Sequence, residues 1–144
     1  AEPIVITSFN RDETTRSGTI QNIRFRNITC KGENGILLHG GEEHKIKNVH
    51  FSDVHITLSK TSKWPCGLYD LRPCLQYGVE KAKNACFFLR GCDDIHIQDC
   101  SAGFGTVSSE YAHGLDAKDV KSLTYDRFTC SPAAPEFEAI KTDN

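Results

Sequence analysis

The sequence predicts an all-β fold, a right-handed parallel β-helix (solenoid) of about four to five coils with one long inserted loop. The first observation is a short pattern that occurs four times, at residues 20–30, 46–56, 94–100 and 122–130. Within each copy apolar residues alternate with polar ones, which is the period of a strand with one buried face. The second observation is the spacing of the copies. Their anchor residues are Ile23, Val49, Ile95 and Leu123.

Short apolar segments precede the later copies and predict a second strand in each coil. They lie at residues 35–40, 85–91 and 112–116, and Gly, Asn or Asp residues bound them. Two or three short strands per turn of about 25 residues indicate a parallel β-helix. Leucine-rich repeats would show Leu at fixed offsets, and propeller blades would be longer and contain four strands, so neither class fits.

The chain opens with a predicted strand at residues 3–9, followed by a polar connection at 10–18. Connections that protrude from a rigid scaffold often carry ligand contacts. Arg11 is therefore a candidate contact for an acidic ligand, together with Arg16. The alternative is that both belong to a solvated turn.

Asn22, Asn48 and Asp94 begin three of the copies. Asn and Asp tolerate the left-handed conformation at tight bends, so we expect these residues to form a ladder of bends. His50 and His55 fall on outward positions, and we expect them at the surface.

The repeat is interrupted by the inserted loop at residues 59–83, which holds the only Trp. Loops of this length inside a compact fold are usually functional or disordered, and aromatic content disfavours disorder. A ring can stack on sugar C–H groups while Arg holds a carboxylate. We therefore name Trp64, Tyr69, Asp70 and Arg72 as candidate substrate-binding residues. The alternative is that the rings form a private core beneath the loop.

Composition restricts the possible partners. The 144 residues suit one domain (1–144), and a net charge of −2 without a basic run argues against nucleic acid. No apolar stretch is long enough for a membrane span. Because the chain lacks Met, we expect Ala1 to lie inside a longer chain or at a processing or cloning site. An uncapped solenoid end would expose apolar residues, so we expect missing N-terminal coils or a partner chain to cap the first coil.

Seven cysteines are present. Cys30, Cys100 and Cys130 fall at one place in three copies, and we expect them to stack as small buried residues. Either Cys66 with Cys74 or Cys86 with Cys92 could form a disulfide. No Cys-x-x-Cys spacing occurs, so we predict no zinc site, no other metal and no cofactor.

Residues 3–9, 20–28, 40–56 and 63–73 resemble the C-terminal coils of glycoside hydrolase family 28, the polygalacturonase-like group of pectin-degrading β-helices. The resemblance implies hydrolysis of galacturonide or rhamnogalacturonide backbones with inversion, using one Asp as general acid and an Asp pair that activates water. The implied partner is an acidic plant-type polysaccharide. We expect a secreted or periplasmic location.

The family's catalytic motifs are Asn-Thr-Asp, Asp-Asp, Gly-His-Gly and Arg-Ile-Lys, and this chain lacks the first and the last. Asp93, Asp94 and His113 match the order of the middle two, but Asp94 falls on a predicted bend. We therefore expect the catalytic motifs upstream of Ala1 and an inactive chain. The alternative is a non-catalytic β-helix that binds carbohydrate or builds an assembly. A polysaccharide lyase would need a cluster of acidic Ca²⁺ ligands, which the sequence does not show.

Overall fold

A computed structural model describes residues 1–143, and these residues form nine strands and no helix, so the all-β prediction is confirmed. The strands are β1 (Val5–Ser8), β2 (Gln21–Gly32), β3 (Ile36–Gly40), β4 (Ile46–Leu58), β5 (Leu68–Asp70), β6 (Val79–Lys81), β7 (Phe87–Phe104), β8 (Leu115–Cys130) and β9 (Ile140–Asp143).

Seven of these strands form one curled parallel sheet that contains two ladders. In the first ladder β1, β3, β7, β8 and β9 pair in that order. In the second ladder β2, β4, β7 and β8 pair in that order. β7 and β8 are long enough to contribute to both. Strands that are neighbours in space also follow one another along the chain in each ladder, which is compatible with a β-solenoid.

The four anchor residues lie in one register across the second ladder. Ile23 pairs with Val49, Val49 with Ile95, and Ile95 with Leu123. Val49 and Ile95 are fully buried, whereas Ile23 and Leu123 are partly buried because their strands end the ladder. The repeat pattern in the sequence therefore identified the register correctly.

The predicted ladder of bends is confirmed. Asn22, Asn48 and Asp94 have φ of 64°, 52° and 58°, and Ser122 continues the column with 59°. The Nδ2 group of Asn48 donates a hydrogen bond of 2.6 Å to Oδ1 of Asn22. Because the bend recurs at the same place in each strand, the sheet changes direction without losing register.

A second column of left-handed bends follows in the same strands. It consists of Asn27, Asp53, Asp99 and Arg127, with φ between 46° and 57°. The two columns together divide each long strand into shorter straight segments. This division produces the curl of the sheet.

The two faces of the first ladder bury different clusters. Ile36, Leu38 and Phe87 face the main core, which also takes the inward side chains of the second ladder. Leu37 and Phe88, which alternate with them, face outward and pack beneath the inserted loop. The loop is therefore fastened to the outer face of the first ladder.

The cysteines differ from expectation in two respects. Cys130 pairs with Ala102 and Cys100 pairs with Phe128, so Cys100 does not share a column with Cys30 and Cys130. The apolar anchor at Ile95 sets the register, and Cys100 lies two residues nearer to its anchor than Cys30 and Cys130 lie to theirs. All seven cysteines are free thiols, so neither candidate disulfide forms.

Candidate functional site

A groove of about 280 Å³ lies on the outer face of the first ladder, beside the inserted loop. The sheet contributes His39, Arg90 and Lys118, and the loop contributes Tyr77 and Glu80. The carboxylates of Glu42 and Asp119 also line the groove. Pockets that hold small ligands start at roughly 300 Å³, so this groove is at the small end of that range.

The floor of the groove is a row of basic side chains, one from each of three strands. His39 of β3 pairs with Arg90 of β7, and Arg90 pairs with Lys118 of β8. Neighbouring strands lie about 4.8 Å apart, so the row presents one nitrogen group per strand. Each side chain comes directly before the point where its strand bends, in Leu-His-Gly, Leu-Arg-Gly and Ala-Lys-Asp. The sequence signal that could have identified the site is this basic residue before a bend, which recurs when the three short sequences are aligned.

Two glycines permit the backbones to approach at the end of this row. A Cβ on Gly40 would lie 2.2 Å from the carbonyl oxygen of Gly91, and Gly91 itself has a φ of +56°. A larger residue at either position would separate the strands. The groove floor therefore depends on glycine here.

Arg90 is held rigidly. Its guanidinium carbon lies 3.7 Å from the centroid of the Phe88 ring. Its Nη1 atom donates to the carbonyl oxygens of Leu89 and Asp116 and to Oδ1 of Asp116, at 2.9, 3.1 and 3.0 Å. Cation–π contact and charge-assisted hydrogen bonds both fix a planar guanidinium, so Arg90 is preorganised for an anionic group in the groove.

His39 connects the sheet to the inserted loop. Its Nδ1 lies 3.2 Å from the carbonyl oxygen of Gly40, and its Nε2 lies 3.3 Å from Oε2 of Glu80. Hydrogen bonding from His39 lowers the pKa of Glu80, although burial opposes the shift. The contact therefore ties the inserted loop to the end of β3.

Aromatic rings line the loop side of the groove. The ring centroids of Phe9 and His39, of Phe9 and Tyr77, and of His39 and Tyr77 lie 4.9, 4.9 and 5.0 Å apart. Burial raises the pKa of Tyr77, so its hydroxyl stays protonated. An aromatic surface beside fixed cations can bind a sugar that carries carboxylates.

None of the five residues predicted to bind substrate lines this groove. Trp64 is 68% exposed, with the ammonium of Lys63 5.3 Å from its ring centroid. Asp70 and Arg72 are exposed and bind each other through two hydrogen bonds of 2.8 and 2.9 Å. Arg11 is exposed in the connection after β1.

Tyr69 belongs to the core beneath the inserted loop. It is 0% exposed, and its ring stacks on Phe88 with the centroids 4.0 Å apart. Its hydroxyl oxygen accepts a hydrogen bond of 3.2 Å from the backbone N–H of Ala85. A fully enclosed ring has no face to offer a sugar, which favours the alternative that Tyr69 belongs to a private core beneath the loop. Its role in binding stays a prediction.

Asp93, Asp94 and His113 are not brought together. His113 is buried, its Nδ1 lies 2.7 Å from the carbonyl oxygen of Glu138, and its own carbonyl oxygen accepts the N–H of Cys86 just before β7. The two aspartates lie beyond the bend at Gly91 in the second ladder. This arrangement does not provide an acid and a base on either side of one bond.

Within residues 1–143, no group of three or more His, Cys, Asp or Glu side chains could hold a metal ion. The same residues contain no helix with the length and apolar character of a membrane span. A scan against protein-family models, a search of curated proteins and a search of solved structures each give no match to this chain.

Proposed function

We propose that this chain is the C-terminal segment of a family-28-like glycosidase acting on pectin-type polysaccharide, built as a right-handed parallel β-helix of about four to five coils. Support for the β-helix comes from the consecutive strand order of both ladders and from the two columns of left-handed bends. The groove on the first ladder is then the surface that holds the acidic polysaccharide chain.

The observation that carries this proposal is the row of His39, Arg90 and Lys118. An extended polymer lying across the strands meets one basic side chain on each of three strands. Arg90 already contacts Asp116 and His39 contacts Glu80, so Lys118 contributes the most to binding a carboxylate. Carboxylates on successive sugars can pair with these groups, while Tyr77 offers an apolar surface to the sugar C–H groups. A galacturonide or rhamnogalacturonide backbone has both features.

The groove by itself supports binding rather than hydrolysis. An inverting glycosidase needs one carboxylic acid that stays protonated and one carboxylate that activates water. Hydrogen bonding from His39 lowers the pKa of Glu80, which is the wrong direction for a general acid. Asp119 is engaged by Lys45 at 2.7 Å. In a family-28 enzyme the acid and the base would be supplied by other coils.

A non-catalytic β-helix that binds carbohydrate is the second candidate. The contacts of Glu80 with His39 and of Asp119 with Lys45 favour this candidate, because carboxylates held in ion pairs serve binding and not acid–base catalysis. A longer version of the protein that carries further coils distinguishes the two: release of reducing ends from polygalacturonate supports the glycosidase, and binding without turnover supports the module.

The groove can be tested on this chain alone by calorimetric titration with oligogalacturonides. Replacing Lys118 with Ala should weaken binding by about 1 kcal/mol, because one partly solvated ion pair is lost. Lys121→Ala is the matched control, since Lys121 is exposed on the same strand but does not line the groove. Equal affinity of both variants and wild type would show that the polymer does not bind here. Reducing ends released by this chain would contradict the binding-only role.

A further inference from the structure

The outer face of the second ladder carries a basic surface at its N-terminal edge. Arg24, Arg26 and Lys31 of β2 are exposed, and β2 contains no acidic residue. Arg24 pairs in register with His50 of β4, and His50 pairs with His96 of β7. This row of nitrogen-bearing side chains runs across three strands, and none of its members lines the groove on the first ladder.

Three outward histidines of this face share one local motif. Each ring contacts, through Nε2, the Oδ1 atom of an Asn or Asp two residues earlier that forms a left-handed bend. The pairs are His50 with Asn48 at 3.0 Å, His55 with Asp53 at 2.8 Å and His96 with Asp94 at 2.7 Å. His55 and His96 therefore have a carboxylate that can balance a positive charge on the ring. His50 has only a neutral amide.

The surroundings of His50 are mostly cationic. β2 contributes the guanidinium groups of Arg24 and Arg26, and β7 contributes His96 and Asp94. The rings of His50 and His96 lie 4.2 Å apart between centroids. Partial burial, followed by His96 and Arg24, lowers the pKa of His50, and Asp94 only partly opposes this. A proton on His50 thus adds a charge without a counter-charge, since Asp94 already binds His96.

We propose that Arg24, Arg26 and His50 form a second binding surface for carboxylated polysaccharide, which binds more tightly when His50 is protonated. The ligand carboxylate supplies the counter-charge that the protein does not provide at this position. This inference rests on the proposed function for the class of ligand, but it uses a different face of the sheet.

A carboxylated sugar fits this surface better than a nucleic acid. The cations of this surface lie on β2 and β4, whereas the bends and outward positions of β7 carry Asp93, Asp94 and Asp99. A polymer with a dense, continuous charge would extend onto those aspartates and be repelled. A short polyuronate can place one or two carboxylates on the basic strands alone.

The test measures the affinity for polygalacturonate at about pH 7.5 and at about pH 5, on either side of the usual histidine pKa. It uses wild type and the variants His50→Gln and His55→Gln, each combined with Lys118→Ala to weaken the groove. Gln retains a hydrogen-bonding side chain but cannot become charged. His55→Gln is the matched control, because His55 lies on the same strand and already has Asp53 as its partner.

With His50 intact, binding should be about tenfold tighter at the acidic pH, since a ligand that raises a pKa by one unit binds tenfold better to the protonated form. His50→Gln should abolish this enhancement, and His55→Gln should keep it. Arg24→Gln should weaken binding at both pH values. Thermal unfolding of each variant at both pH values controls for loss of the fold.

Two results would overturn the proposal. The first is an unchanged pH dependence in His50→Gln. The second is an equal acid enhancement for a single-stranded oligonucleotide, which would show a general polyanion surface. Failure of the groove is a separate result: Lys118→Ala alone would then leave affinity at neutral pH unchanged, whatever His50 does.

Discussion

Tyr69→Phe separates a structural role of the inserted loop from a role in binding. The hydroxyl of Tyr69 is enclosed and accepts the backbone N–H of Ala85, which is itself 0% exposed. Burial raises the pKa of Tyr69 well above its usual value, so the hydroxyl is neutral at any working pH. The substitution removes one oxygen and leaves the ring stacked on Phe88.

The expected cost follows from the N–H group that is left behind. A buried donor without a partner costs about 1–3 kcal/mol, so Tyr69→Phe should lower the free energy of unfolding by roughly 2 kcal/mol. Tyr69→Ala removes the ring as well and should cost about 3–5 kcal/mol, by analogy with Phe→Ala in other cores. The difference between the two variants measures the packing of the loop on β7.

Urea unfolding measures both values. With a slope of about 2 kcal/mol per molar urea, Tyr69→Phe should move the midpoint down by about 1 M. Tyr125→Phe is the control, because Tyr125 is 49% exposed and should change stability by less than about 0.5 kcal/mol. Wild-type stability together with weaker oligogalacturonide binding would refute this reasoning and support a role of Tyr69 in binding.

Three further predictions concern the loop, the strand contacts and the thiols. Glu33 accepts hydrogen bonds from two backbone N–H groups at the start of the inserted loop, and these bonds hold its pKa well below the usual value. This anchoring is present above the unfolded-state pKa and is lost as pH falls through the folded-state pKa. Glu33→Gln should weaken it at neutral pH, because the amide oxygen still accepts but carries no charge for Lys60. The effect should be seen as faster tryptic cleavage of the loop and altered fluorescence of Trp64. Gly35→Ala should cost about 1–3 kcal/mol because its Cβ would lie 2.2 Å from a backbone oxygen, whereas Gly78→Ala, with open space around it, should be near neutral in the same urea assay. Because burial raises the pKa of Cys92 to about 12, a thiol reagent should react slowly with Cys92 in the native protein at neutral pH. The same reagent should count seven thiols in denaturant, and a lower count would reveal a disulfide.

The register of the second ladder could be predicted because its determinants are local and repeat. Apolar alternation places Ile23 and Val49 on the same face, and an Asn before each of them takes the left-handed bend. The second column of bends ends at Arg127, a residue type with no preference for that conformation. Pairing of β8 with β7 imposes the bend at Arg127, so no local feature of the sequence predicts this bend.

The groove could not be predicted from the aromatic and charged residues of the inserted loop, because solvent exposure and hydrogen-bond partners determine whether such a residue can bind a ligand. Trp64 and Tyr69 have the same aromatic signal, yet one is exposed and the other is enclosed.

The residues of the groove floor are ordinary ones, and only the register brings them together. The inserted loop separates His39 from Arg90 in the sequence, so their pairing becomes visible only when β3 is aligned with β7. Arg24, His50 and His96 form their row by the same rule on the other ladder. In a stacked sheet the chemical unit is thus the column across strands, since outward side chains one strand apart are neighbours at about 4.8 Å. Aligning the copies and comparing the charges in each outward column would therefore have identified both the groove row and the basic row of the second ladder. A search along the chain for catalytic spacings instead led to Asp93, Asp94 and His113, and the fold does not bring His113 to the two aspartates.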